Sequence, residues 1–166
     1  GAAVRLGCPV YSGKCLIVSA HGYIRLTKKS RGWSSTYRAL LAVHQPGRVL
    51  FLPWHEYMTL SFVRNQNSVI ASPAPAFFSR PVLVSADPEV PGIKPPASPD
   101  QTSVANLVKS GQQGQWAEVL AAHNIKYVLL ARELDWKSYR YLDSQAGLVK
   151  VEDFGSVVLY RNILVP

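Results

Sequence analysis

Two stretches of this chain leave little conformational choice. Arg48-Val-Leu-Phe-Leu52 and Ile125-Lys-Tyr-Val-Leu-Leu-Ala131 are short, dominated by apolar residues, and bounded by Gly47 and Pro53 in one case and Asn124 in the other. They are too short for stable helices, and they lack the apolar–polar alternation of a half-exposed strand. A strand that is apolar on both sides is one buried between two layers, as the interior strands of parallel sheets are.

Helical spacing recurs around these strands. Trp33, Tyr37, Leu40 and Leu41 share a face over residues 33–43, with Ser34 or Ser35 placed to cap the start and Gln45-Pro46-Gly47 ending the segment. Residues 54–62 are aromatic and read as beginning with a turn of helix. Residues 68–71 and 80–85 are β-like; Ser72-Pro-Ala-Pro75 is a breaker, and Phe77-Phe78 reads as a core plug. Residues 87–99 carry five prolines and a glycine, an extended exposed connection or a domain linker. Helices follow over residues 100–109, with Asp100 near the start, and 115–123, with Trp116, Val119 and Leu120 on one face. After strand 125–131, residues 135–145 are helical, with Trp136, Tyr139 and Leu142 aligned and Gly147 as terminator. Residues 148–152 and 157–161 close the chain as a hairpin across Asp153-Phe154-Gly155-Ser156. Near the start, residues 14–19 and 23–27 read as another hairpin. The pattern predicts a single α/β domain over residues 1–166. Its sheet is layered and mainly parallel, with a C-terminal antiparallel hairpin and helices on both faces.

The length of 166 residues fits one domain with a core of its own. No apolar run approaches the ~20 residues that cross a bilayer, and no secretory signal is visible. The Gly-Ala-Ala opening and the apolar end at residues 162–166 read as those of a piece excised from something larger.

Net charge is +8, and all of the excess lies in the first third. No acid precedes Glu56, whereas Arg5, Lys14, Arg25, Lys28, Lys29, Arg31, Arg38 and Arg48 do. Such asymmetry suits an anionic partner. Arg25, Lys28, Lys29 and Arg31 are the candidate contacts to an anionic surface, and membrane headgroups would attract each base. Nucleic acid is the less favoured alternative, because aromatics are not interleaved with the bases as in RNA-binding sheets. Cys8 and Cys15 flank Tyr11-Ser12-Gly13 and could close a small disulfide loop in an oxidising compartment or remain free thiols.

The sequence has no phosphate loop, dinucleotide glycine pattern, nucleophile elbow or paired-histidine zinc helix. It calls for no cofactor and no metal. His44 and His123 fall at predicted helix ends, where a cation favours the dipole. One constellation remains. Open α/β sheets bind ligands beyond the carboxyl ends of parallel strands. If strands 48–52 and 125–131 are parallel neighbours, Trp54, His55, Glu56 and Tyr57 face Arg132, Glu133, Asp135 and Trp136 across one edge. The histidine and carboxylates suit acid–base work, and the tryptophans suit a sugar or partner platform. Against this, Glu133 and Asp135 also sit where a helix start favours negative charge, and Trp54 and Trp136 suit a core cap.

The string Gly47-Arg-Val-Leu-Phe-Leu-Pro-Trp-His-Glu-Tyr-Met58, the strand Asn124-Ile-Lys-Tyr-Val-Leu-Leu130 and the closing Leu159-Tyr-Arg-Asn162 carry a resemblance. Residues 45–162 resemble the soluble extracytoplasmic portion of bacterial multi-pass membrane glycosyltransferases of the GT-C-like type, which use lipid-linked sugar donors. The catalytic acids of that family lie in its membrane part, so the resemblance assigns no catalytic residue here. It implies an accessory, non-catalytic domain outside the cytoplasmic membrane, partnered by its own transmembrane portion or the membrane surface. Such a domain would bind a glycan, a lipid-linked sugar or a protein. Two other readings stand beside it. One is a small hydrolase-type enzyme using His55, Glu56, Glu133 and Asp135. The other is a nucleic-acid-binding domain using the basic first third.

Overall fold

The computed structural model of the chain describes residues 16–19, 22–25, 31–43, 45–62, 67–95 and 98–166. The first described elements are β1 (Leu16–Ser19) and β2 (Gly22–Arg25), an antiparallel pair in the segment expected to form a hairpin. Helix α1 (Arg31–Ala42) leads into β3 (Arg48–Leu52). The short strands β4 (Tyr57–Met58) and β5 (Ile70–Ala71) pair antiparallel, and the one-turn helix α2 (Ala74–Phe77) precedes β6 (Val82–Leu83). Then come α3 (Pro99–Ser110), α4 (Trp116–Ala122), β7 (Ile125–Ala131), a 3-10 helix (Trp136–Ser144), β8 (Leu148–Asp153) and β9 (Val157–Asn162).

Five strands form one sheet in the order β6-β3-β7-β9-β8. β6, β3 and β7 are parallel, while β9 runs antiparallel to both β7 and β8. Four of the five strands therefore point the same way, and the only reversed one belongs to the C-terminal hairpin.

Alternation along the strands builds two cores. Val49 and Phe51 of β3 join Tyr127, Leu129, Val157 and Leu159 on one face; Leu50 and Leu52 join Val128, Leu130, Val158 and Tyr160 on the other. The first face is covered by Trp33 and Leu40 of α1 and by Phe77 of α2. The second is covered by Val104 and Leu107 of α3, Trp116 and Leu120 of α4, and Tyr139 and Leu142 of the 3-10 helix. Helices thus lie on both faces, as the pattern predicts. Trp33 centres the first core, its ring 5.4 Å from Phe51 and from Phe62, 5.5 Å from Phe77 and 5.7 Å from Phe78. Burying aromatic side chains of this size dominates core energetics.

The lone lysine in β7 is also buried. The register slips between Arg48 and Val49, so that Lys126 falls opposite neither; its Nζ donates to Gln45 Oε1 at 2.5 Å and to the Pro166 carbonyl at 2.8 Å. At the end of α1 the Arg80 guanidinium donates to the carbonyls of Leu40, Val43 and Gln45. It thereby supplies the cation that the last turn of the helix lacks.

Several local expectations change. α1 begins at Arg31, so Ser34 and Ser35 lie inside the helix rather than capping it. Residues 54–62 form no helix, because Tyr57 and Met58 pair with Ile70 and Ala71 instead. The Pro73–Pro75 breaker contains the start of α2, since proline is tolerated in a first helical turn. The segment after β7 is a 3-10 helix, and the three-residue spacing of Trp136, Tyr139 and Leu142 is the 3-10 period. Residues 87–95 have no regular structure and join β6 to α3, whose Val104 and Leu107 pack in the same core as Leu50 and Leu83. Cys8, Cys15, Lys28, Lys29 and His44 lie outside the described residues.

Candidate functional site

β3 and β7 are parallel neighbours, with Leu52 opposite Leu130. The loops that follow them therefore leave the sheet at the same edge, the geometry on which the candidate site depends. There the His55 ring lies between two carboxylates. Its Nδ1 is 2.8 Å from Glu89 Oε1 and its Nε2 is 3.1 Å from Asp135 Oδ1. Ionised carboxylates only accept hydrogen bonds, so both contacts are made together when both ring nitrogens carry protons. Burial opposes that charge, but the hydrogen bonds and negative charges of Glu89 and Asp135 outweigh it and raise the His55 pKa above 6.5. Glu89 reaches the ring from the proline-rich connection, with a φ of 55° and its backbone N–H donating to Asp87 Oδ1 at 2.9 Å.

The other expected residues do not converge on this point. Glu133 turns away and is buried; its carboxylate accepts from the Ser61 hydroxyl at 2.8 Å and from the Ser61 N–H at 3.1 Å. Arg132 makes a bidentate pair with Asp153, at 2.9 and 2.6 Å, and donates to the Gly155 carbonyl at 2.6 Å. β7 ends at Ala131, and Leu134 then adopts a left-handed φ of 49° between Glu133 and Asp135, whose side chains reach different neighbours. The Glu56 carbonyl accepts the Ser72 N–H, fixing this loop against the start of the next segment.

The tryptophans also part company. Trp54 is buried in the second-face core, and its backbone N–H donates to the Tyr139 hydroxyl at 3.1 Å. It is a core residue and not a platform. Burial is the main reason that Tyr139 is pushed up to about 12, so its phenol stays neutral. Trp136 is half-buried, with the guanidinium groups of Arg132 and Arg140 5.2 and 5.4 Å from its ring centroid. Tyr57 is exposed at the same edge.

Glu89, Ser61 and Asp153 are the partners that sequence reasoning did not find. They stand 34, 72 and 21 residues from His55, Glu133 and Arg132 in the chain, and no short-range spacing announces them. Of the basic candidates, Arg31 is exposed in the first turn of α1, and the side chain of Arg25 lies outside what is described. His123 ends α4 as expected, with Nε2 3.0 Å from Ser103 Oγ. Among the described residues no group of three or more His, Cys, Asp or Glu is placed to hold a metal ion, and no helix is long and apolar enough to cross a membrane.

No family model matches the chain, and no curated protein does. Solved structures do. The chain is similar to part of the arabinofuranosyltransferase AftD from Mycobacteria, solved by electron cryo-microscopy, with a TM-score of 0.59 and 19% identity. The match covers 78% of this chain and 12% of that one. A mutant form of the same enzyme gives a TM-score of 0.60 over the same shares. This chain thus has the fold of a small part of a much longer glycosyltransferase. The resemblance read from the strings at residues 47–58, 124–130 and 159–162 pointed to that class of protein.

Proposed function

We propose that this chain is an accessory, non-catalytic domain of a larger membrane glycosyltransferase-like protein, placed on the extracytoplasmic face beside its transmembrane portion. Its role is to bind a glycan, a lipid-linked sugar or a protein partner at the sheet edge beyond β3 and β7. The observation that carries the reading is the fold likeness, which spans most of this chain and 12% of the AftD chain. The edge chemistry supports a binding role over a catalytic one. Both nitrogens of His55 are engaged by carboxylates and both oxygens of Glu133 by Ser61, so neither group is held free to take a substrate proton.

A transfer assay tests this. The purified chain and its full-length parent are each given a radiolabelled polyprenyl-phosphate-linked sugar and an oligosaccharide acceptor. Product from the parent alone is expected. Product from the chain alone overturns the non-catalytic role, and a parent reading frame without hydrophobic spans overturns the membrane setting.

A further inference from the structure

At the same edge of the sheet, where Arg132 and Glu133 follow β7, is an open pocket of about 370 Å³. It is lined by Gly32 at the start of α1, Ser61, Arg132, Glu133 and the Phe154-Gly155-Ser156 turn. Its size falls at the small end of the range for small-molecule sites.

Among the described residues three buried side-chain polar atoms have no hydrogen-bond partner, and two of them, Arg132 Nε and Ser156 Oγ, belong to residues lining this pocket. The third, Trp33 Nε1, belongs to the neighbour of Gly32. Buried polar groups are nearly always paired, and an orphan calls for a missing partner. Two orphans at one pocket point to the same one.

The charges around the pocket restrict what that partner is. The Arg132 guanidinium is neutralised by Asp153, and each oxygen of the Glu133 carboxylate accepts one hydrogen bond from Ser61. A carboxylate oxygen has a second lone pair, so each has room for one more donor. An anion would meet the carboxylates of Glu133 and Asp153. An ammonium group would meet the Arg132 guanidinium. A neutral hydroxyl suits both sides, because it accepts from a guanidinium N–H and donates to a carboxylate. The half-buried Phe154 adds an apolar wall. A Cβ on Gly32 would fall 2.2 Å from Ser156 Oγ and 2.8 Å from the Phe154 carbonyl, so glycine is what lets α1 approach the turn this closely.

We infer that this pocket binds one ring of a neutral, polyhydroxylated ligand, with Arg132 and Ser156 donating to adjacent hydroxyls that Glu133 accepts. The inference deepens the binding role proposed above by naming a ligand class and a site within the edge. It fails separately, because the transfer assay does not depend on this pocket.

The test is amide-resolved NMR on the purified chain with D-arabinose and methyl β-D-galactopyranoside as neutral probes, and inorganic phosphate and methylammonium as charged ones. Shifts with a neutral probe at Gly32, Ser61, Glu133 and Ser156 are expected, with none from the charged probes. Ser156→Ala removes a hydroxyl that has no partner in the free protein. It is expected to leave the thermal midpoint unchanged or raised while weakening sugar binding at least about fivefold. Glu133→Gln is expected to weaken binding too. Absence of any sugar-induced shift overturns the inference and leaves a water-filled pocket. So does a response to phosphate instead, shifts confined to His55 and Trp136, or unchanged sugar affinity in Ser156→Ala.

Discussion

His55 Nε2 lies 3.1 Å from Asp135 Oδ1, joining two loops 80 residues apart in the chain. With Glu89 on the other ring nitrogen, one imidazole ties together the exits of β3 and β7 and the proline-rich connection. Those exits adjoin only because β3 and β7 are parallel and paired. The bridge is therefore a tertiary clasp whose strength depends on one proton.

That dependence has a definite sign. The His55 pKa is raised in the folded chain, so folding takes up charge that the unfolded chain holds only below 6.5. The stabilisation is fully present below that value and is lost as pH rises through the folded pKa. The two carboxylate side chains are about half exposed, which holds the effect under about 1 kcal/mol. The thermal midpoint is expected to fall as pH rises above 6.5, and His55→Gln to flatten that fall. Equal slopes in the two proteins would rule the clasp out as the cause.

Asp100 gives the opposite dependence. Arg48 Nη2 donates to it at 2.9 Å, and the hydrogen bonds from Arg48 and Ser98 lower its pKa from 3.8 to about 2. Its contribution is present above 3.8 and is lost as pH falls toward 2. Both side chains are partly exposed, so Asp100→Asn is expected to cost about 1 kcal/mol at neutral pH. In urea titrations the variant should converge with the parent in acid, and a constant difference at every pH would contradict the assignment.

The sheet was legible because β3 and β7 are apolar on both faces, a pattern that has few structural solutions. The clasp was half legible. Once the strands were read as parallel neighbours, His55 and Asp135 had to share an edge, but Glu89 lies in a segment whose composition says only that it is extended. A shared loop after β7 puts Glu133 and Asp135 at one edge but does not fix where each side chain turns, and the left-handed backbone of Leu134 between them parts the two. The helix after β7 is legible in the sequence but its 3-10 type is not, because positions three apart also share a face of an α-helix. The sequence leaves Trp54 open between a platform and a core cap, because a loop position says nothing about the space beneath it. Here that space is roofed by Tyr139, which arrives from 85 residues away.

Gly147 separates backbone strain from packing. Its φ is 83°, and a Cβ there would fall 2.5 Å from the Ala117 Cβ of α4. Gly92 has a φ of 84° with nothing within 4 Å of the equivalent position. Alanine at either site incurs the left-handed penalty of about 1–2 kcal/mol. At Gly147 it must also push α4 from β8, an overpacking cost of about 1–3 kcal/mol more. Urea unfolding is therefore expected to rank Gly147→Ala well below Gly92→Ala. The difference between the two reads the contact between α4 and the start of β8. Near-equal losses would mean that α4 yields without cost, and that the second-face core is held by α3 and the 3-10 helix instead.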